Sequence, residues 1–155
     1  MDLFPATHFS LESSYCTFWI SGGLAACRLT DQRLAISYLE KARELDPEEI
    51  LPMTELINAY LATDQIPQAM ARAVELDRRI PKHFLVKDAL ARVYIAGGDY
   101  QNAAVVLEEV ARLAGDDPER LVYTAELQSA VGALDDAVWS LTKALATDGD
   151  NSGTR

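Results

Sequence analysis

The sequence predicts an all-α fold, a solenoid of four antiparallel helix pairs. One observation is self-similarity: an alanine in a similar helical context recurs without gaps at positions 34 residues apart, namely Ala35, Ala69, Ala103 and Ala137. The other is that apolar residues within each copy recur at the i, i+3, i+4, i+7 spacing of an amphipathic helix. Together they indicate stacked helical hairpins that share one continuous core.

The repeat period divides the chain into defined segments. The four copies span 16–49, 50–83, 84–117 and 118–151 in a single domain, and a polar tail at 152–155 is expected to fray. Residues 1–15 precede the copies and carry four large apolar side chains, Leu3, Phe4, Phe9 and Leu11. We expect this segment to cap the first helix, with an arm that docks on another subunit as the alternative.

Each copy contains two amphipathic helices separated by a turn. In the first copy the first helix carries its stripe at Trp19, Gly22, Gly23 and Ala26, and the second carries Ala35, Leu39 and Ala42. Small residues recur where paired helices would cross, at Gly23, Ala91 and Ala125, with Ile57 as the exception. The second helices are expected to end at corresponding terminators, Pro47, Pro81, Gly115 and Gly149.

These residues resemble the pattern of the tetratricopeptide repeat family. The first copy carries Trp19, Gly23, Ala35, Leu39, Ala42 and Pro47, and the third carries Ala91, Tyr94, the turn Gly98-Asp99-Tyr100, Ala103 and Leu107. The second keeps Tyr60, Ala69 and Pro81, with Pro67 tolerated at the start of its second helix. The fourth keeps Ala125, Ala137, Leu141 and Ala144 but has Gln128 where tyrosine is usual. The resemblance implies a right-handed superhelical solenoid with a concave groove.

Composition and charge exclude several classes of function. A net charge of -10 argues against a nucleic-acid ligand, because phosphate binding needs a basic surface. Six basic residues do cluster between Arg72 and Arg92, either as a solvated face or as a contact for an acidic segment. The two histidines and two cysteines have no metal-site spacing, and no catalytic constellation is present. We therefore expect no enzyme activity, no metal and no cofactor.

The residues LAAC, ending at Cys27, can be interpreted in two ways. They match the cleavage box of a bacterial lipoprotein, but no basic residue precedes them and Gly22 and Gly23 interrupt the apolar run. The repeat register also assigns them to the first helix of the first copy. We expect a cytoplasmic protein, with an envelope lipoprotein as the alternative. No segment has the roughly 20 apolar residues needed for an integral membrane helix.

The resemblance implies that a second stripe on the first helix of each copy lines the groove. The predicted peptide-binding residues are Ile20, Leu24, Leu51, Thr54, Asn58, Leu61, Leu85, Asp88, Arg92, Ile95, Val122 and Glu126. Asn58 could bond a peptide backbone and Arg92 a carboxylate, although Asp88 and Arg92 could equally pair with each other at i, i+4. The groove is expected to be apolar at one end and acidic at the other.

These features predict a protein-protein interaction module or scaffold that binds a partner peptide in the groove. One alternative is a chaperone or assembly component of a bacterial secretion or pilus system. Another is a mainly structural solenoid that self-associates into a homo-oligomer, for which Trp139 on the last helix is the candidate contact. A clamp for an acidic tail is not expected, because Glu55, Glu119 and Glu126 stand near the few basic groove residues.

Overall fold

The computed structural model describes residues 31–151, and the side chains up to residue 147. Seven α-helices account for most of this part of the chain, which confirms the all-α prediction. In chain order they are α1 Gln32–Leu45, α2 Ile50–Ala62, α3 Ile66–Arg79, α4 Phe84–Ala96, α5 Tyr100–Ala114, α6 Pro118–Ala130 and α7 Leu134–Asn151.

The helix boundaries repeat with the predicted period. The first helices α2, α4 and α6 begin at Ile50, Phe84 and Pro118, which are the first residues of the predicted second, third and fourth copies. The second helices begin at residues that are again 34 apart, namely Gln32, Ile66, Tyr100 and Leu134.

The helices pack in sequential pairs. α2 packs on α3, α4 on α5 and α6 on α7, and α1–α2 and α5–α6 are also in contact. The chain divides into two compact units, one ending at Arg79 and the other beginning at Ile80. Among the described helices, α1 to α3 lie in the first unit and α4 to α7 in the second.

Small side chains recur at buried positions of the repeat. The alanines that revealed the period, Ala35, Ala69, Ala103 and Ala137, are all buried, as are Ala91 and Ala125. A side chain of one carbon lets two helix backbones approach closely, which explains why this position stays small. Larger residues fill the space beside it: in the second unit Leu107 and Val110 form a cluster with Ala91, and Leu127 packs against it. Truncating a buried leucine of this kind typically costs about 2–5 kcal/mol.

The turn inside each described pair has one backbone conformation. Asp64, Gly98 and Gly132 lie 34 residues apart and all have positive φ, at 58°, 76° and 82°. The residue that follows each of them donates its backbone N–H to the carbonyl of the residue five positions before it. An example is the 2.9 Å bond from the Asp99 N–H to the Tyr94 carbonyl. A left-handed residue followed by such a bond closes a helix and reverses the chain. Glycine meets this requirement most easily.

Carboxylates cap several helix N-termini. Asp31, Asp99 and Asp117 each accept a backbone N–H from the first turn of the following helix, at 3.1–3.2 Å. These bonds satisfy donors that an α-helix leaves unpaired, typically at a gain of about 1 kcal/mol each.

Three of the four predicted helix terminators act as expected. α1 ends two residues before Pro47, α3 ends two residues before Pro81, and Gly115 follows the last residue of α5 with φ 62°. The fourth prediction was wrong, because α7 continues through Gly149 to Asn151. A glycine inside a helix costs only about 1 kcal/mol, so it ends a helix only where packing also requires a turn.

Several predictions fall outside the described residues. They concern the N-terminal segment 1–15, the first helix of the first copy with its LAAC sequence, the groove residues Ile20 and Leu24 on that helix, and the tail 152–155.

Candidate binding surface on the first helices

The exposed side of α6 forms a shallow depression in the second unit. It has a volume of about 570 Å³ and is lined by Pro118, Glu119, Val122, Tyr123 and Glu126. The predicted groove residues Val122 and Glu126 therefore lie together on an accessible surface. The depression combines an apolar floor with two carboxylates, because Val122 and the Tyr123 ring stand between exposed Glu119 and Glu126.

A side-chain hydrogen bond joins this surface to α4. The Tyr123 hydroxyl donates to Oδ1 of Asp88 over 2.9 Å. Sequence reasoning did not select Tyr123, which directly follows the stripe residue Val122. An aromatic residue beside a predicted stripe was the only signal in the sequence, since its partner lies 35 residues away on another helix.

Asp88 also contacts Arg92 on its own helix. Nε of Arg92 lies 3.1 Å from Oδ2 of Asp88, so the i, i+4 pair considered from the sequence is present. The carboxylate is buried whereas the arginine side chain is about one third exposed. Asp88 therefore serves mainly to hold Tyr123 and Arg92 in place, and Arg92 is the member of the pair that still reaches the surface.

Burial dominates the protonation behaviour of this group. It raises the pKa of Asp88 above its ordinary value, an effect that the Arg92 charge and the Tyr123 hydrogen bond partly oppose. Burial also raises the pKa of Tyr123 to about 12, and the charge and hydrogen bond of Asp88 add to the shift. At neutral pH the phenol is therefore protonated and can donate its hydrogen bond to Asp88.

The other predicted residues of α4 divide between surface and core. Leu85 is exposed at the start of the helix. Ile95 is partly buried because it packs against the cluster of Ala91, Leu107 and Val110. Leu85 therefore adds apolar surface, and Ile95 contributes mainly to the fold.

The predicted residues of α2 lie in the first unit. Leu51 is exposed and Leu61 is partly buried. Thr54 is buried and its hydroxyl donates to the Leu51 carbonyl over 3.0 Å, which leaves it little to offer a ligand. Oδ1 of Asn58 is buried and has no hydrogen-bond partner within the described chain. A buried acceptor of this kind lowers stability until a donor reaches it.

Most cations of the basic window are already paired. Arg72 contacts Glu40 and Glu75, Arg79 contacts Glu75, Lys87 contacts Glu109, and Arg92 contacts Asp88, all at 2.9–3.4 Å. The pairs of Arg72 and Arg79 are partly exposed ion pairs of the helix surface, whereas Lys87 and Asp88 are buried members of theirs. They give no support to the interpretation of this window as a free basic patch.

Trp139 is half exposed on α7. Nζ of Lys143 lies 5.4 Å from the centre of its ring, and the same ammonium lies 3.3 Å from Oδ1 of Asp116. The ring is therefore partly covered by its own helix.

The described residues bring together no group of three His, Cys, Asp or Glu side chains that could hold a metal ion. Of the helices in this part of the chain, none combines the length and the apolar character required to cross a bilayer.

No protein-family model matches the sequence, and no curated protein matches it either. Solved structures do match. TTC0263, a thermophilic TPR protein of Thermus thermophilus, superposes with a TM-score of 0.69 over 86% of this chain and 75% of its own, at 19% identity. The chain has the tetratricopeptide repeat (TPR) fold.

Two structures of MamA agree with this assignment. One superposes with a TM-score of 0.69 and 17% identity, covering 89% of this chain and 81% of that one. The other, residues 41 to the end of MamA from Desulfovibrio magneticus RS-1, gives a TM-score of 0.67 and 14% identity over 85% and 75% of the chains. At such identities the match establishes the TPR fold alone. Within that fold, α2, α4 and α6 are the first helices of their repeats.

Proposed function

We propose that this TPR protein is a protein-interaction module, and that the joined faces of α4 and α6 bind a segment of a partner protein. The observation that carries the proposal is the 2.9 Å hydrogen bond from Tyr123 to Asp88. It holds the first helices of two successive repeats side by side, so that their exposed residues form one surface rather than two separate helix faces.

The side chains on this surface indicate the chemistry of the partner. Val122 and the Tyr123 ring offer apolar contacts between the carboxylates of Glu119 and Glu126, and exposed Leu85 on α4 adds apolar area. A segment that alternates basic and apolar side chains complements both features. The net charge of -10 adds a favourable long-range field for such a segment.

We propose a second, separate binding surface on the α2 face, within the first unit. Exposed Leu51 supplies apolar area, and a rotation of the Asn58 side chain would bring its unpaired, buried Oδ1 to a backbone N–H of an extended peptide. A bound peptide would thereby satisfy an acceptor that the described chain leaves open.

Selection from a random peptide library displayed on phage tests the proposal and does not require the partner to be identified first. The full chain serves as bait, and enriched sequences are synthesised and measured by fluorescence anisotropy. We expect peptides rich in Lys or Arg and apolar residues, with dissociation constants in the micromolar range, about -8 kcal/mol.

The variant Glu119→Lys/Glu126→Lys should weaken these peptides about tenfold or more, because two attractive charges become repulsive. The matched control is Glu108→Lys/Asp135→Lys, which makes the same change of net charge at two exposed carboxylates of the same unit that do not line the depression. It should leave the affinity within about twofold. Enriched peptides that bind the α6 variant as well as the native chain would refute the proposed surface.

A further inference from the structure

A stripe of apolar side chains on α7 is exposed. Leu134, Val138, Leu141 and Leu145 are 63%, 63%, 41% and 74% exposed. Their spacing of four, three and four residues places all four along one line of the helix. The stripe contains no charged residue.

Residues of the earlier repeats that correspond to Leu141, and the residue of α5 that corresponds to Leu145, are covered. Leu39, Ala73 and Leu107 match Leu141 in the 34-residue register, and each is at most 1% exposed. Ala111 matches Leu145 and is 3% exposed. Ala104, which matches Val138, is only partly buried, and Tyr100, which matches Leu134, is 52% exposed. α5 therefore buries the part of this side that corresponds to Leu141 and Leu145.

The difference follows from the neighbours of each helix. α5 packs against α4 before it and α6 after it, whereas α7, among the described helices, packs substantially on α6 alone. Leu141 and Leu145 therefore lie where a following helix would cover them, and Leu134 and Val138 extend the same line of the helix.

We propose that this stripe is a self-association surface, covered by the same stripe of a second copy packed antiparallel. The spacing is symmetric about its midpoint between residues 139 and 140. A two-fold axis through that point sets Leu134 against Leu145 of the second copy, and Val138 against Leu141 of the second copy. Each large side chain then faces another large side chain.

Charge favours the antiparallel arrangement. Asp135 and Asp136 lie in the first turn of α7. Parallel packing would set these carboxylates beside their own copies, whereas antiparallel packing moves them to opposite ends of the contact. In the antiparallel form the dipoles of the two helices also point in opposite directions, which is the favourable arrangement.

The size of the stripe implies a weak dimer. From Leu134 to Leu145 the helix rises about 16 Å, so the contact is smaller than the roughly 800 Å² per partner of a standard interface. Association is expected in the range of tens to hundreds of micromolar, concentration-dependent and fast to reverse.

Sedimentation velocity of the full 155-residue chain between about 5 μM and 1 mM measures this equilibrium, a range chosen for a weak contact. The average mass of the native chain should rise from 17.0 kDa towards twice that value. Leu145→Lys replaces the most exposed stripe residue and should raise the dissociation constant about tenfold or more, because the charge enters the contact twice. Circular dichroism confirms that the helix content is unchanged.

Two control variants on the same helix test whether association depends on the stripe alone. Ala146→Lys adds the same charge about 110° around the helix from the centre of the stripe, and Trp139→Ala removes the half-exposed tryptophan that projects away from Leu141. Both should leave the dissociation constant within about twofold.

A charge pair tests the orientation. In Leu134→Glu/Leu145→Lys, antiparallel packing sets Glu against Lys at both ends and should restore association relative to Leu145→Lys, the more so at low salt. The proposal is overturned if the native chain stays monomeric at 1 mM, if Ala146→Lys weakens association as much as Leu145→Lys, or if the charge pair restores nothing.

Discussion

The Ser140 hydroxyl on α7 donates a 2.8 Å hydrogen bond to Oε1 of Gln128 on α6, and both side chains are fully buried. Gln128 occupies the place that Tyr60 and Tyr94 hold in the two preceding repeats. The departure from tyrosine thus puts an amide in the core, and the fourth repeat supplies a hydroxyl for it. A buried amide oxygen without such a donor would be strongly destabilising.

Ser140→Ala should therefore lower the free energy of unfolding by about 1–3 kcal/mol, since it leaves the Gln128 oxygen unsatisfied. Adding Gln128→Met removes the polar group as well, so the double variant should lose less than the sum of the two single variants. Urea unfolding of the native chain, the two single variants and the double variant gives the coupling free energy between Ser140 and Gln128. Additive losses would show that the hydrogen bond contributes nothing of its own.

The Tyr123 phenol should titrate far above an ordinary tyrosine. Its pKa is raised to about 12, first by burial and then by the Asp88 carboxylate. A raised folded-state pKa means that the stabilisation is complete below about pH 10, the unfolded value, and is lost as pH rises towards 12. NMR of the tyrosine Cζ carbons follows this titration, and Tyr123→Phe identifies the signal.

Asp88→Asn should bring the Tyr123 midpoint back towards 10, because the nearby negative charge is removed while the packing stays similar. A midpoint near 10 in the native chain would mean that the phenol and the carboxylate are not in contact in solution. That result would also remove the main support for a joined surface of α4 and α6.

Glu40 of α1 ties together all three described helices of the first unit. Its carboxylate accepts from the Tyr60 hydroxyl at 2.7 Å, Nε of Arg72 at 3.1 Å and Nε of Arg43 at 2.8 Å. Burial alone would raise the pKa of Glu40, but the hydrogen bonds from Tyr60 and Arg43 and the charges of Arg72 and Arg43 together lower it. The resulting stabilisation is present above the ordinary pKa of 4.5 and is lost as pH falls through the folded-state value.

Glu40→Gln should lower the free energy of unfolding at pH 7 by about 1 kcal/mol, a modest figure because the group is partly exposed. The difference between variant and native chain should shrink as pH drops from 5 to about 3, where the native carboxylate also protonates. Glu44→Gln is the control, since Glu44 is an exposed partner of Lys41 on the same helix. Thermal melts across this pH range would contradict the argument if the two variants behaved alike.

The sequence was sufficient to predict the helices because their signals are local and periodic. The spacing of Ala35, Ala69, Ala103 and Ala137 set the register, and the helices begin with the same period. Gly149 failed as a terminator because a glycine permits a turn without requiring one. Whether the chain turns there depends on packing beyond the local pattern.

The candidate surface was only partly predictable. The stripe on the first helices included Val122 and Glu126, which line the depression, and also Thr54, which is buried. A helical wheel gives the direction of a side chain but not whether a neighbouring helix covers it. The contacts of Tyr123 with Asp88 and of Tyr60 with Glu40 link different helices, and no period in the sequence marks them.

The repeated turn gives a final prediction. Gly98 has φ 76°, and a Cβ built on it would meet no atom within 4 Å. Gly98→Ala should therefore lower the free energy of unfolding by about 1–2 kcal/mol through backbone strain alone, without a steric clash.

Asp64 has φ 58° at the equivalent position and already bears that strain. Asp64→Gly should raise stability by about 0.5 kcal/mol, because the relief of strain exceeds the added flexibility of the unfolded chain. Urea unfolding measures both changes in the free energy of unfolding, which should be a loss for Gly98→Ala and a gain for Asp64→Gly. If Gly98→Ala left this free energy unchanged, the turn would not be held in the left-handed conformation.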